Sequence, residues 1–361
     1  MQSAANSYIC DLNPYQLSAS QADIVRRYGH NPSSIVVLAS NENPLGMSPK
    51  ACEAAERVLP GAYRYPEQSA LIAALADRLD VPATALVLGN GSNDVLDMVA
   101  RVFLDEGYEA VSAQYAFAVY NIATTSVGAT NVTVPLKDFQ HDLPAMLAAI
   151  TPKTRVVWLV NPGNPIGTFI PYGEIKQFLD RVPKEVAVVL DEAYYEYLAP
   201  DDRADSISWL RGYPNLIIVR TFSKMYGMAG LRLGYGITSP EIADLMNRVR
   251  HPFNVNVLAL AAGVAALDDH EFVERSRQNA VAGRKQLLDG LRTMGLECLP
   301  SYSNFVNVRV LQDDIHEALL SQGIIVRPLT GYGLSDWLRV TIGLPEENEQ
   351  FLQAMRHVLR G

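Results

Sequence analysis

A single lysine, Lys224, stands in a glycine-rich stretch that is otherwise neutral up to its final arginine, Thr221-Phe-Ser-Lys-Met-Tyr-Gly-Met-Ala-Gly-Leu-Arg232. An amine in apolar, small-residue surroundings loses hydration of its charged form, which lowers its pKa and frees its lone pair for a carbonyl. Alone, such a lysine reads as an ordinary surface group on a loop. Its company along the chain changes that reading. Gly91, Ser92 and Asn93 form a small-residue turn before a helical pattern, the arrangement that offers backbone N–H groups to a phosphate. Ser223 and Arg232 flank the lysine with a hydroxyl and a cation. Asp191 offers a carboxylate, Tyr194 a phenol, Asn164 an amide and Tyr115 a ring face.

These groups need elements that bring them together. The runs Arg155–Val160, Val186–Leu190 and Leu216–Val219 are continuous and apolar, as strands buried on both faces are. Each runs into one of the polar clusters just past its carboxyl end, where open α/β sheets bind ligands. Ala85–Leu88 enters the Gly89-Asn-Gly-Ser-Asn93 turn, and Val95, Leu96, Met98, Val99, Val102 and Phe103 continue as an amphipathic helix. Helices are also expected over 49–58, 69–80 and 272–294, with strands at 131–134, 305–310, 324–326 and 337–342. The expected fold is therefore α/β: a large domain over 39–246 on a mostly parallel sheet, and a smaller α+β domain from 247–361. Residues 1–38, punctuated by Asn13-Pro14 and Asn31-Pro32, read as an irregular arm packed on it.

Composition narrows the function. Thirty basic against thirty-nine acidic residues leave a net charge of −9, which disfavours nucleic acid or an anionic membrane as partner. Neither a membrane-length apolar run nor a signal-peptide pattern is visible, and three cysteines without Cys-x-x-Cys spacing fit the cytoplasm. Six histidines without ligand spacing argue against a protein-bound metal. The glycine turn lacks Gly-x-Gly-x-x-Gly and a Walker lysine, and no Gly-x-Ser-x-Gly occurs, so a nucleotide module and a serine hydrolase both fit poorly.

Were the turns to converge, their groups would match pyridoxal 5′-phosphate. Its phosphate needs N–H groups and a cation, its pyridine nitrogen a carboxylate, its 3′-oxygen donors, and its aldehyde a lysine. The chain resembles the fold-type I pyridoxal-phosphate aminotransferases and, within them, is similar to the histidinol-phosphate aminotransferases. The resemblance spans Asn13-Pro-Tyr15 to Leu338-Arg-Val-Thr-Ile-Gly343. It is carried by Ser40-Asn-Glu-Asn-Pro-Leu-Gly46, Tyr63-Arg-Tyr-Pro66, Gly89-Asn-Gly-Ser-Asn93, Asn161-Pro-Gly-Asn-Pro-Ile-Gly167, Asp191-Glu-Ala-Tyr194 and the lysine stretch. It implies that Lys224 is the Schiff-base lysine, that Asp191 meets the pyridine nitrogen, and that Tyr194 and Asn164 contact the 3′-oxygen. Gly91, Ser92, Asn93, Ser223 and Arg232 would hold the phosphate, and Tyr115 would stack on the ring. Tyr65 would reach the neighbouring subunit's cofactor in a homodimer with shared sites, while Tyr15, Arg327 and Arg339 would bind substrate.

The expected reaction moves an amino group from a small-molecule donor, histidinol phosphate in histidine biosynthesis, to a 2-oxo acid such as 2-oxoglutarate. Departures from the family pattern keep other donors open. Gly163 and Ile166 stand where relatives carry an amide and a hydroxyl beside the cofactor. Gln16-Leu-Ser-Ala19 replaces a Pro-Gly turn, and Tyr115 lies in Ala113-Gln-Tyr-Ala-Phe-Ala-Val-Tyr120 rather than after Pro-Thr. An aromatic or specialised-metabolism aminotransferase, or a decarboxylase of the same fold, is the alternative.

Overall fold

The computed structural model describes residues 4–10, 12–16, 18–312 and 314–360; Leu17 of the arm lies outside them. Eleven strands follow in chain order among the described residues: β1 (Val36–Leu38), β2 (Leu86–Asn90), β3 (Glu109–Ala113), β4 (Thr130–Val134), β5 (Thr154–Val160), β6 (Ala187–Asp191), β7 (Leu216–Thr221), β8 (Leu233–Ile237), β9 (Phe305–Arg309), β10 (Ile324–Leu329) and β11 (Leu334–Thr341). β2 to β8 form one seven-stranded sheet in the order β2-β8-β7-β6-β5-β3-β4, in which only β8 runs antiparallel to its neighbours. The apolar runs of β5, β6 and β7 occupy its middle. β6 and β7 are buried throughout and β5 nearly so, as helices on both faces require. One face packs Leu159, Leu190 and Ile218; the other packs Trp158, Val189 and Val219.

β1, β10, β11 and β9 make the second sheet, with β1 parallel to β10 and the remaining pairs antiparallel. It has its own core around Val306, Val340, Phe351 and Met355. The arm is more regular than its sequence suggests. Residues Gln21–Tyr28 form a helix because Ser20 and Asp23 close a capping box at its start.

Among the elements not expected from the sequence, two have clear physical reasons for escaping it. β8, Leu233-Gly-Tyr-Gly-Ile237, carries glycine where a strand pattern wants bulk. A Cβ on Gly234 would lie 2.3 Å from the Ser92 nitrogen, so the glycine admits the 91–92 turn against the sheet. The helix Val257–Leu267 is apolar all round and shows no stripe. Its Ala259, Ala262 and Ala266 lie in the core of the large sheet, so the expected domain changeover at 246/247 falls too early. The crossing is made by the long helix His270–Thr293: Ala280 belongs to the large core, Leu287 and Leu291 to the small one.

Candidate active site

β7 delivers the lysine. Phe222 and Met225, both fully buried, anchor the turn after it. Gly227 takes φ +68, and a Cβ there would lie 1.9 Å from the Gly46 carbonyl oxygen, so the turn rests directly on the segment after β1. Lys224 projects from this turn and its Nζ donates to the Ser40 carbonyl at 3.0 Å. Burial, then the Arg339 charge, pushes its pKa down to about 8, against a smaller opposing pull from Glu42.

β6 delivers the carboxylate. Asp191 is buried, and each oxygen has one donor: the Tyr120 hydroxyl to Oδ2 at 2.7 Å and the Ala193 N–H to Oδ1 at 3.0 Å. Burial raises its pKa to about 6 despite these bonds. Tyr120 is itself held by stacking on Trp158, with centroids 5.4 Å apart. Next to Asp191, Glu192 accepts from Tyr172 and from both Nε and Nη2 of Arg220 on β7. This pair is buried and fully bonded, so removing one partner would cost about 3–5 kcal/mol. It ties together the ends of the two strands that carry Asp191 and Lys224. Tyr194 is also buried, and its oxygen accepts from Asn41 Nδ2 at 2.9 Å.

One end of the site is a cradle for an anion. Gly91, at φ +80, precedes the helix Ser92–Phe103, whose positive N-terminus faces the cavity. Arg232 adopts φ +59 and lays its guanidinium over Gly91, where a Cβ would sit 2.2 Å from Nη2. Its Nη1 donates to Ser223 Oγ at 3.3 Å and to the Ala229 carbonyl at 3.0 Å. At the other end the small sheet contributes Arg327 and Arg339, which face each other across β10 and β11. Arg339 bonds Asn164 Oδ1 at 2.7 Å and the Ala39 carbonyl at 2.8 Å. Arg327 bonds the Gln16 carbonyl and Ser18 Oγ, and its guanidinium lies 5.6 Å from the Tyr15 ring centroid.

The structure brings Tyr15, Ser92, Asn93, Asn164, Asp191, Tyr194, Ser223, Lys224, Arg232, Arg327 and Arg339 around one cavity of about 180 Å³. Gly91 lies just behind it, under Arg232. Tyr115 does not line this cavity, contrary to expectation. At φ +56 in the turn after β3 it turns into neighbouring hollows, and Phe117, two residues on, lines the cavity instead. Tyr65 is 80% exposed and stacks on Phe253 at 4.4 Å, away from its own chain's cavity. Gly163 and Ile166 also lie outside the cavity; Ile166 packs with Leu329, Leu334 and Trp337. Sequence reading assigned no role to Asn41, Phe117 or Tyr120. The signal for Tyr120 was a phenol within a short apolar run, and for Asn41 its place in Ser40–Gly46.

The donor set fits pyridoxal phosphate. The glycine-floored cradle, a buried carboxylate, a phenol with an amide, and an amine of lowered pKa share one cavity. No cluster of potential metal ligands occurs among the described residues, and no helix there is long and apolar enough to cross a membrane.

The chain belongs to the aminotransferase class I and II family, which its residues 33–355 match. Within that family it is similar to histidinol-phosphate aminotransferase 1 of Dechloromonas aromatica (strain RCB), 54% identical over 98% of both chains. It is 50% identical to histidinol-phosphate aminotransferase of Methylobacillus flagellatus, over 99% of this chain and 97% of that one. Among solved structures, histidinol-phosphate aminotransferase from Sinorhizobium meliloti in complex with pyridoxal-5′-phosphate superposes with a TM-score of 0.89 at 28% identity, covering 99% and 98% of the two chains. Aspartate aminotransferase from Thermus thermophilus with maleate, at 22% identity and a TM-score of 0.84, shares the fold.

Proposed function

We propose that this chain is a pyridoxal-phosphate-dependent aminotransferase that takes histidinol phosphate as amino donor and 2-oxoglutarate as acceptor, in histidine biosynthesis. The observation that carries the substrate is the pair Arg327 and Arg339. Two cations face each other beside the amine, and among the described residues neither forms an ion pair with a carboxylate. Their bonds go to neutral oxygens, which a phosphate or carboxylate outcompetes through charge-assisted contacts. The names of the relatives support the same donor.

The cofactor would supply an aldehyde for amine exchange and an electron-withdrawing ring. The chain's residues do the rest. Ser92, Asn93, Ser223 and Arg232 would hold the phosphate and so fix the ring's place. Asp191 would keep the ring nitrogen protonated, and Tyr194 with Asn164 would donate towards the 3′-oxygen. Phe117 would cover one ring face. Lys224, an amine of pKa about 8 in the cofactor-free protein, would take and return a proton at the substrate carbon. The burial of Asp191 strengthens its contact.

The same reading makes the working unit a homodimer with shared sites. Leu59, Tyr63, Tyr65 and Phe253 are exposed large apolar side chains near the 59–65 turn, a surface that favours burial against a second copy. Tyr65, turned away from its own cavity, would serve the partner's. The cytoplasm is the compartment this reading implies.

The test is kcat/KM for histidinol phosphate, phenylalanine and tyrosine in the parent and in Arg327→Ala. Loss of one charge-assisted contact of about 1.5–3 kcal/mol should cost the phosphorylated donor roughly 10- to 150-fold and the uncharged side chains far less. A parent with no preference for the phosphorylated donor would sink the substrate and leave the aminotransferase.

A further inference from the structure

Asn41 lies in the strap of residues 39–43 that leads from β1 into the large domain. It is almost fully buried at φ +54, a left-handed conformation that asparagine tolerates better than most residues. Its backbone N–H donates to Thr341 Oγ1 at 2.9 Å, and its carbonyl accepts from Asn304 Nδ2 at 3.0 Å. The Thr341 hydroxyl therefore has its proton left for Asn41 Oδ1, 3.2 Å away. That bond fixes the amide: oxygen towards Thr341, nitrogen towards Tyr194.

Asn41 Nδ2 is 2.9 Å from the Tyr194 oxygen and can only donate. The phenol proton cannot go to it and must point elsewhere. Tyr194 lines the cavity, and Lys224 Nζ lies 6.0 Å from its ring centroid. The neighbouring residues of the strap reach the same site. Ala39 accepts from Arg339 and Ser40 from Lys224, so three successive residues hold the substrate arginine, the amine and the phenol.

We propose that Asn41 is a positioning residue: held by Thr341, it obliges Tyr194 to present its proton to the cofactor's 3′-oxygen, and so lowers the proton affinity of the cofactor-bound amine. The inference rests on the functional reading above. Anionic character on that oxygen favours keeping a proton nearby, and a firm phenol donor reduces it. Other titratable groups also face Tyr194: Asp191 on its own turn, Arg339 on β11, Tyr332 after β10, Lys224 after β7, and Tyr197 beside it. Burial, with Arg339 and Asn41 opposing it, holds the Tyr194 phenol at about 12, so it remains a donor through the working range.

The experiment is a pH titration of the visible absorbance of the holoenzyme, with the cofactor's dissociation constant measured alongside. Asn41→Gly keeps the left-handed backbone and removes the donor. Thr341→Val keeps the shape and frees the amide to rotate, which covers the case in which the first variant does not fold. Each should raise the midpoint, Asn41→Gly by roughly one pH unit, a tenfold change in proton affinity. In a Tyr194→Phe background neither should shift it further, because the effect passes through the phenol. An unchanged midpoint in the folded variants, or an equal shift with Tyr194→Phe present, overturns the role of Asn41. A parent without visible absorbance after incubation with pyridoxal phosphate overturns the functional reading itself.

Discussion

Asp191, proposed above as the partner of the ring nitrogen, should be a burden to the empty protein. It sits buried at the end of β6, and burial raises its carboxyl from 3.8 to about 6, only partly relieved by Tyr120 and Ala193. The sign follows from proton binding. The unfolded chain gives up this proton near 3.8, whereas the native cofactor-free protein keeps it to about 6. Between those values the native state binds more protons, so stability falls as pH rises and the full loss is present above about 6. At 1.36 kcal/mol per pH unit the loss is about 3 kcal/mol, a large fraction of a typical net stability of about 5–15 kcal/mol.

Asp191→Asn removes that cost. The amide oxygen can still accept from Ala193, and the amide nitrogen can donate to the Tyr120 oxygen in place of the present bond. Cofactor-free Asp191→Asn should therefore be about 1–3 kcal/mol more stable than the parent at mildly alkaline pH. The advantage should shrink as pH falls through about 6. Urea unfolding at fixed protein concentration, repeated across pH, measures it. With cofactor the order reverses in activity: transamination should drop by orders of magnitude, since the ring nitrogen loses its anion. A variant less stable than the parent in alkali, or a difference that ignores pH, would refute the reasoning about burial.

Three further outcomes are expected. Lys224→Ala should abolish transamination while leaving the fold intact, and in the cofactor-free parent capture of a carbonyl reagent should titrate near 8 rather than 10.5; normal turnover by the variant would remove the lysine from the chemistry. Gly91→Ala, at φ +80 with Arg232 Nη2 2.2 Å from the new methyl, should weaken pyridoxal-phosphate binding and destabilise by more than about 1 kcal/mol; equilibrium dialysis and thermal melting read the two effects. Mixing inactive Lys224→Ala with inactive Tyr65→Ala protomers should restore activity in mixed dimers, and no recovery despite proven subunit exchange would confine Tyr65 to its own chain.

What the sequence displays well is chemistry that needs rare residue types at strand ends. The buried strands β5, β6 and β7 announce themselves as apolar runs, and a parallel sheet leaves their polar successors on one edge. Asp191, Lys224 and Asn164 are legible for that reason. β8 and the helix Val257–Leu267 are not, because one is thinned by glycine to admit a neighbouring turn and the other lacks a polar face. The chain changeover was misplaced with them.

Positioning is harder to read than chemistry, because it depends on backbone conformation that residue type only permits. Tyr115 and Phe117 are both aromatic and two residues apart, so spacing alone could put either in the cavity. The left-handed turn at Tyr115 decides the matter by sending that ring elsewhere. Arg232 and Asn41 also sit at positive φ, and in both the unusual backbone aims a side chain at a group the chemistry needs. Such conformations cost energy and persist where the surroundings hold them. Here Thr341 and Asn304, more than 260 positions away in sequence, hold Asn41 from the other domain. The Tyr194 phenol is thus oriented from the small domain, the one that also carries Arg327 and Arg339.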